Sequence, residues 1–242
     1  MTTAFFDHPW PPRMTVLVLA PQPDDFDAIG VTLRQLHERG HELHLAVLTT
    51  GANGVDDGFN GAVTPADKAA AREAEQRASC DFFGLPATRC SFLRLWQDPA
   101  AEAQDLERLR RQVLALQPDL VFMPHGNDSN ATHRRCYASF RAVAAAEGLS
   151  LQACLNQDAK TQGMRNDLHL AFDAQAAAWK AQLLRHHRSQ QQRNLRARGS
   201  GFDERVLQLN REAAANLGLM QSHAEVFELL RFQDGRAQAG AG

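Results

Sequence analysis

Val16-Leu17-Val18-Leu19-Ala20-Pro21-Gln22-Pro23-Asp24-Asp25-Phe26-Asp27-Ala28-Ile29-Gly30 is the stretch from which the fold can be read. Its apolar start stops at a turn of prolines and aspartates, which reads as a short buried strand. Beyond the turn, Ile29, Leu33 and Leu36 recur at helical spacing, and Gly40 ends the pattern. Two adjacent carboxylates, Asp24 and Asp25, therefore sit between the carboxyl end of a strand and the start of a helix. In open α/β sheets ligands bind at such strand ends. Pro21 and Pro23 stiffen the turn by fixing φ. Neighbouring carboxylates repel, and a shared proton or cation relieves the repulsion. Equally, aspartates at a helix start cap its free N–H groups. Both readings stand on this stretch alone.

Working outward, Leu43 to Leu48 reads as a second strand, followed by the small-residue loop Thr49-Thr50-Gly51-Ala52-Asn53-Gly54. Thr64-Pro65-Ala66-Asp67 has the form of a helix start, and the helix runs to Phe83 before Gly84. Cys90 to Leu95 reads as a strand, Ala101 to Leu116 as a charged helix, and Asp119 to Met123 as a compact strand. A helix over Ala131 to Ala146 and strands over Leu151 to Leu155 and Leu168 to Phe172 follow. One long polar helix is expected over Ala174 to Asn194, with His187, Ser189 and Gln190 on a solvated face. Arg193 to Gly201 reads as a basic break, Glu204 to Leu217 as a helix, and Gln233 to Gly242 as a frayed tail. Alternating strands and helices of these lengths predict a mostly parallel sheet with helices on both faces, a Rossmann-like three-layer α/β sandwich in a single domain. Residues beyond about 150 are expected to complete its pocket.

The bulk composition narrows the function classes. Over 242 residues the formal net charge is −2 with both signs interspersed, which argues against a nucleic-acid partner. No apolar run approaches the ~18 residues of a membrane span, and the N-terminus lacks the pattern of a signal peptide. Cys80, Cys90, Cys136 and Cys154 have no CxxC spacing and suit buried thiols in a reducing cytoplasm. A G-x-G-x-x-G loop is missing after the first strand, so a nucleotide-binding Rossmann domain is disfavoured.

A second turn follows the strand at 119–123: Pro124-His125-Gly126-Asn127-Asp128-Ser129-Asn130-Ala131-Thr132-His133. Parallel strands end on one edge, so folding should bring both turns to one rim. Aspartate and imidazole there, with a position open to water, suit a catalytic divalent metal. A lone His at a helix start is otherwise an ordinary polar residue.

At these residues the chain resembles the PIG-L/LmbE-like family of metal-dependent de-N-acetylases. That family carries an A-H-P-D-D-E turn after its first strand and a later H-x-D-H turn. Here they read Ala20-Pro21-Gln22-Pro23-Asp24-Asp25-Phe26 and Asn130-Ala131-Thr132-His133. Thr49-Thr50-Gly51, Arg72-Glu73, Lys180 to Gln190 and Ala224-Glu225-Val226-Phe227 continue the resemblance in order. It implies that Asp25 and His133 are metal ligands, that Gln22 occupies the third ligand position, and that Asp24 is the general base. Asn130 stands where the family places an oxyanion-steadying imidazole, and His125 is a candidate to fill either vacancy because Gly126 lets the loop bend. Arg72, Asn53 and Asp98 are candidate substrate contacts, with surface or packing roles as the alternative.

The departures have consequences. A neutral Gln oxygen binds zinc more weakly than imidazole, so low zinc affinity or a harder ion is expected. Asn130 can donate a hydrogen bond to an oxyanion but cannot act as an acid. The resemblance implies zinc-dependent removal of an acetyl group from an N-acetylglucosaminyl-type substrate. The alternative is a relative that binds a sugar-like ligand without turnover, because of Gln22. A small-molecule substrate is the expected partner, and a homo-oligomer stays open.

Overall fold

The computed structural model describes residues 2–240. The chain opens with β1 (Thr3–Ala4), then β2 (Thr15–Ala20), α1 (Asp25–Ala28), α2 (Gly30–Glu38) and β3 (Glu42–Val47). Next come α3 (Pro65–Phe83), β4 (Cys90–Phe92), α4 (Glu102–Leu116), β5 (Leu120–Pro124) and α5 (Ala131–Glu147). They are followed by β6 (Leu151–Asn156), β7 (Leu168–Phe172), α6 (Ala174–Leu184), α7 (Arg188–Arg198), α8 (Phe202–Asn216), β8 (His223–Gln233) and β9 (Arg236–Ala239). All nine strands join one sheet in the order β1-β7-β8-β6-β5-β2-β3-β4, with β9 added to β8. The stretch from β6 to β4 is wholly parallel, and β8 runs antiparallel to β6, β7 and β9.

The sheet is covered on both faces, which is why β2 is apolar from Val16 to Ala20. Val16, Val18 and Ala20 point into a core shared with Leu33, Phe83, Leu183 and Phe227, from the helices α2, α3 and α6 and from β8. Leu17 and Leu19 point the other way, into a core with Leu109, Val113 and Phe140 from α4 and α5. This is the mostly parallel three-layer sandwich that the alternating pattern predicts. The helix start at Thr64 is a capping box: the Asp67 amide donates to Thr64 Oγ1 at 3.1 Å, and the Thr64 amide donates back to the Asp67 carboxylate at 3.0 Å. Among the described residues no helix is long and apolar enough to cross a membrane. Cys80, Cys136 and Cys154 are buried free thiols, and Cys90 is half-buried.

Several local expectations are corrected. The helix expected over 174–194 is two helices, broken at Arg185-His186-His187 without Gly or Pro. His187 is fully buried there, with Nε2 2.5 Å from the carboxylate of Asp27, so a tertiary contact overrides helix propensity. Ser189 is also buried, against Glu75, so neither residue lies on a solvated face. The basic break begins later than expected, since α7 continues to Arg198 and stops at Gly199 with φ +73°. Strand β4 ends at Phe92, and Arg94 and Trp96 lie in the left-handed region. The tail is ordered as far as it is described. Asp234 and Gly235, with φ of +47° and +76°, form the tight turn that Asp-Gly favours and fold β9 back on β8. Residues 241 and 242 lie outside the described residues.

Candidate active site

Strands β2, β5 and β6 are adjacent and parallel, so their carboxyl ends share a rim. The turn after β2 carries Gln22, Asp24 and Asp25; the loop after β5 carries Asp128 and Asn130 and leads into His133 on α5; the loop after β6 carries Asp158. All but Asp128 border a cavity of about 420 Å³ whose lining includes Gln22, Asp24, Asp25, Asn53, Arg72, Asn130, His133 and Asp158.

Asp25 and His133, far apart in the chain, are brought to 3.7 Å between Oδ1 and Nε2. His133 is oriented from behind: its Nδ1 lies 3.1 Å from Asp128 Oδ2. Asp128 in turn accepts from the Asn130 amide at 2.6 Å and from Thr161 Oγ1 at 3.2 Å. A carboxylate on one ring nitrogen fixes the tautomer and frees the other for a cation, as in metal-bound histidines. Burial would lower the proton affinity of His133, but Asp25, Asp158 and Asp128 outweigh it and hold the imidazole above its usual range. Burial pushes the Asp25 carboxyl up to about 7; His133 opposes the rise and Asp24 adds to it. The position resists a lone negative charge and favours a positive partner. The donor atoms of Asp128, His133 and Asp158 lie within 4.8 Å of one another.

Asp24 has φ +116°, a strained value for a residue with a side chain, costing on the order of 1–3 kcal/mol. Its surroundings hold it there. Its amide donates to Gln76 Oε1 at 2.9 Å, and Arg72 Nη2 donates to its Oδ2 at 2.8 Å and to the Pro23 carbonyl. Arg72 is itself buried and fixed by Glu75 at 3.0 Å, and Glu75 is held by Ser189. Among the described residues nothing hydrogen-bonds Asp24 Oδ1. Asn130 caps α5, its Oδ1 accepting from the Thr132 amide at 3.0 Å, which leaves its amide Nδ2 available.

Two candidates lie elsewhere. His125 does not border the cavity; its Nδ1 accepts from the Asn127 amide and its Nε2 sits 3.4 Å from Glu228. At Gly126 the Tyr137 ring occupies the space a Cβ would take, which requires glycine there. Asp98 is exposed and caps a short turn through the Ala100 amide at 2.9 Å. Arg72 borders the cavity, but its guanidinium is engaged by Asp24 and Glu75. Asp158 was missed by the sequence reading, although it follows Asn156 at the end of β6 and the strand-end argument applied to β2 and β5 reaches it equally.

Gly51 closes the turn from the second loop. Its φ is +64°, and a Cβ there would lie 2.8 Å from Pro23 Cδ and 3.2 Å from Arg72 Nε. Gly51→Ala is therefore expected to lower stability by about 1–2 kcal/mol, read from the urea midpoint at constant slope. An unchanged midpoint would mean that the Pro-Asp turn has slack.

Residues 17–144, slightly more than half of the chain, match the family model described as PIG-L, GlcNAc-PI de-N-acetylase. Among solved structures, N,N'-diacetylchitobiose deacetylase from Pyrococcus horikoshii is similar with a TM-score of 0.72 at 20% identity, over 91% of this chain and 84% of that one. The 4-carboxy-2-hydroxymuconate hydratase GalB of Pseudomonas putida KT2440 is similar with a TM-score of 0.66 at 20% identity, over 94% and 98%. A curated glucosamine-6-phosphate deaminase-like protein of Bacteroides thetaiotaomicron is 28% identical over 193 residues. That match takes in 56% of this chain and 28% of the Bacteroides protein, so the chain spans little more than a quarter of that relative. At these identities the structural likenesses establish the fold.

Proposed function

Because the chain belongs to the GlcNAc-PI de-N-acetylase (PIG-L) family, we propose that it is a metal-dependent hydrolase that removes the acetyl group from an N-acetylated amino sugar. The observation that carries this reading is the meeting of Asp25 and His133 at 3.7 Å, from the ends of two strands and beside Asp24, in one cavity.

The donor set fits a divalent cation. Asp25 and His133 Nε2 would hold it, with Asp128 orienting the imidazole and with Asp158 and Gln22 lining the same cavity. Oxygen outnumbers nitrogen in that set, which favours a harder ion or weak zinc over tight zinc. When bound, such a cation acidifies water and polarises the acetyl carbonyl.

The chain's own groups do the rest. Asp24 Oδ1 takes a proton as the water oxygen attacks the acetyl carbon. Arg72 and the Gln76 side chain keep Asp24 in its strained conformation throughout. Asn130 Nδ2 donates to the carbonyl oxygen as negative charge builds there. Asp24 then returns the proton to the nitrogen, the C–N bond breaks, and the amine and acetic acid leave, the acid giving up its remaining proton to solvent as acetate. The unpaired thiols suit a cytoplasmic setting.

Gln22 favours a second reading, in which the chain holds a sugar-like ligand without hydrolysing it. Metal content and acetate release, measured for the protein as written and for Gln22→His, separate the two. We expect Gln22→His to raise zinc affinity at least about tenfold. Acetate release by the protein as written supports hydrolysis. Release only after Gln22→His supports the second reading. Release by neither overturns the hydrolase proposal.

A further inference from the structure

The cavity is divided by charge. Its more buried part, the floor, carries Asp24, Asp25 and Asp158, with Arg72 paired to Asp24, whereas its more exposed part, the outer wall, carries Lys160, Arg193, Arg198 and Arg205. These cations come from three separate elements: the loop after β6, α7 and α8. Among the described residues none of the four has a carboxylate within ion-pair distance. Their neighbours on the same surface do: Arg196 reaches Asp56 at 3.3 Å and Arg185 reaches Asp203 at 2.7 Å. Arg205 is half-buried and donates to the neutral Asn194 Oδ1 at 2.7 Å.

Unpaired like charges facing one cavity repel one another. Burial and the nearby Arg198 both pull the Arg205 guanidinium below its usual range, with Asp158 opposing. An anion bound among them would relieve that repulsion. Arginines present their N–H groups in a planar fork that matches phosphate and carboxylate oxygens two at a time.

We infer that the substrate carries an anionic group, a phosphate or a carboxylate, which Lys160, Arg193, Arg198 and Arg205 bind while the acetamide lies over Asp25 and His133. The inference rests on the hydrolase reading for what happens at the floor of the cavity, but not for the charge on its wall. It narrows the substrate from amino sugars in general to acidic conjugates of them. It also gives the two charged regions different tasks. The carboxylate floor serves the reaction, and the cationic wall fixes which end of the molecule enters first.

The test compares the full-length protein with the Arg193→Gln/Arg198→Gln double variant; both arginines are exposed, so folding is preserved. The probes are N-acetylglucosamine, its 1-phosphate, its 6-phosphate and N-acetylmuramic acid, titrated calorimetrically and assayed for acetate at low and high salt. At least one anionic probe should bind tenfold or more tightly than the neutral sugar, and high salt should shrink the gap. In the double variant the ratio should fall towards one. The phosphate and carboxylate arms show which anion is taken. Equal affinity for all probes, or a gap that survives in the double variant, overturns the inference. Acetate released equally from neutral and anionic sugars would defeat the inference while keeping the hydrolase. A charge-dependent gap with no acetate from any probe would defeat the hydrolase while keeping the anion site.

Discussion

Asp24→Asn is expected to lower the single-turnover rate of acetate release by about a thousandfold, within the range that positioned proton transfer contributes. Asparagine keeps the shape of the side chain and can still accept from Arg72, whose pairing with Glu75 at 3.0 Å is untouched. It cannot take a proton from water. Metal content should stay near that of the unaltered protein, because the ligands assigned above do not include Asp24. Asp25→Asn should behave differently and lose metal, since it removes one of those ligands. Metal analysis beside the rate measurement distinguishes the two variants. More than a tenth of the original rate in Asp24→Asn would remove Asp24 from its assigned role.

Lys180→Met is expected to destabilise the fold by about 3–5 kcal/mol, a large part of the total stability of a domain. Lys180 is completely buried, and its Nζ donates to the Ala28 carbonyl at 2.6 Å, to Asn210 Oδ1 at 2.7 Å and to Glu225 Oε1 at 2.7 Å. Burial pulls its ammonium below the usual range and Glu225 opposes the fall. Glu225 faces the start of α2, accepting from the Val31 amide at 3.1 Å and the Thr32 amide at 2.7 Å. Its negative charge suits the positive end of that helix. The loss arises because methionine would leave the carboxylate of Glu225 buried without a cation. Thermal unfolding should shift downward by about 10 °C. Lys180→Met combined with Glu225→Gln should cost less than the two single changes added together. Strict additivity would show that the two side chains are not coupled. Because Ala28 is three residues past Asp25, this pair also holds the turn that carries the acids.

The fold was legible where one physical signal governs. Apolar runs closed by turn residues located β2, β3 and β5, and the Thr64 and Gly84 signals located the ends of α3. The break at His187 was not legible, because its cause is a carboxylate 160 positions away, on Asp27. Neither was the burial of Lys180 and Glu225, which the sequence shows only as ordinary polar residues of a helix and a strand. The Asp234-Gly235 turn carried a recognisable signal, but the composition of the tail obscured it. At the site, the adjacency of β2 and β5 was implicit in the parallel pattern, and with it the meeting of the two turns. The direction in which His125 points was not, since it depends on Glu228 in β8. Arg72, a candidate substrate contact by sequence, is engaged instead by Asp24, Glu75 and Ser189, partners that the sequence does not place beside it.

Strand β8 lies between β6 and β7. Without β8 the sheet would be two unjoined fragments, one running from β6 to β4 and the other made of β1 and β7. Until residues 223–233 enter the slot between them, the ammonium of Lys180 lacks its counter-ion and the first turn of α2 lacks the carboxylate that faces it. The acidic turn is thus fastened from one side by Arg72 and Gln76 before β8 is made, and from the other, through Lys180 on the Ala28 carbonyl, only once Glu225 has arrived.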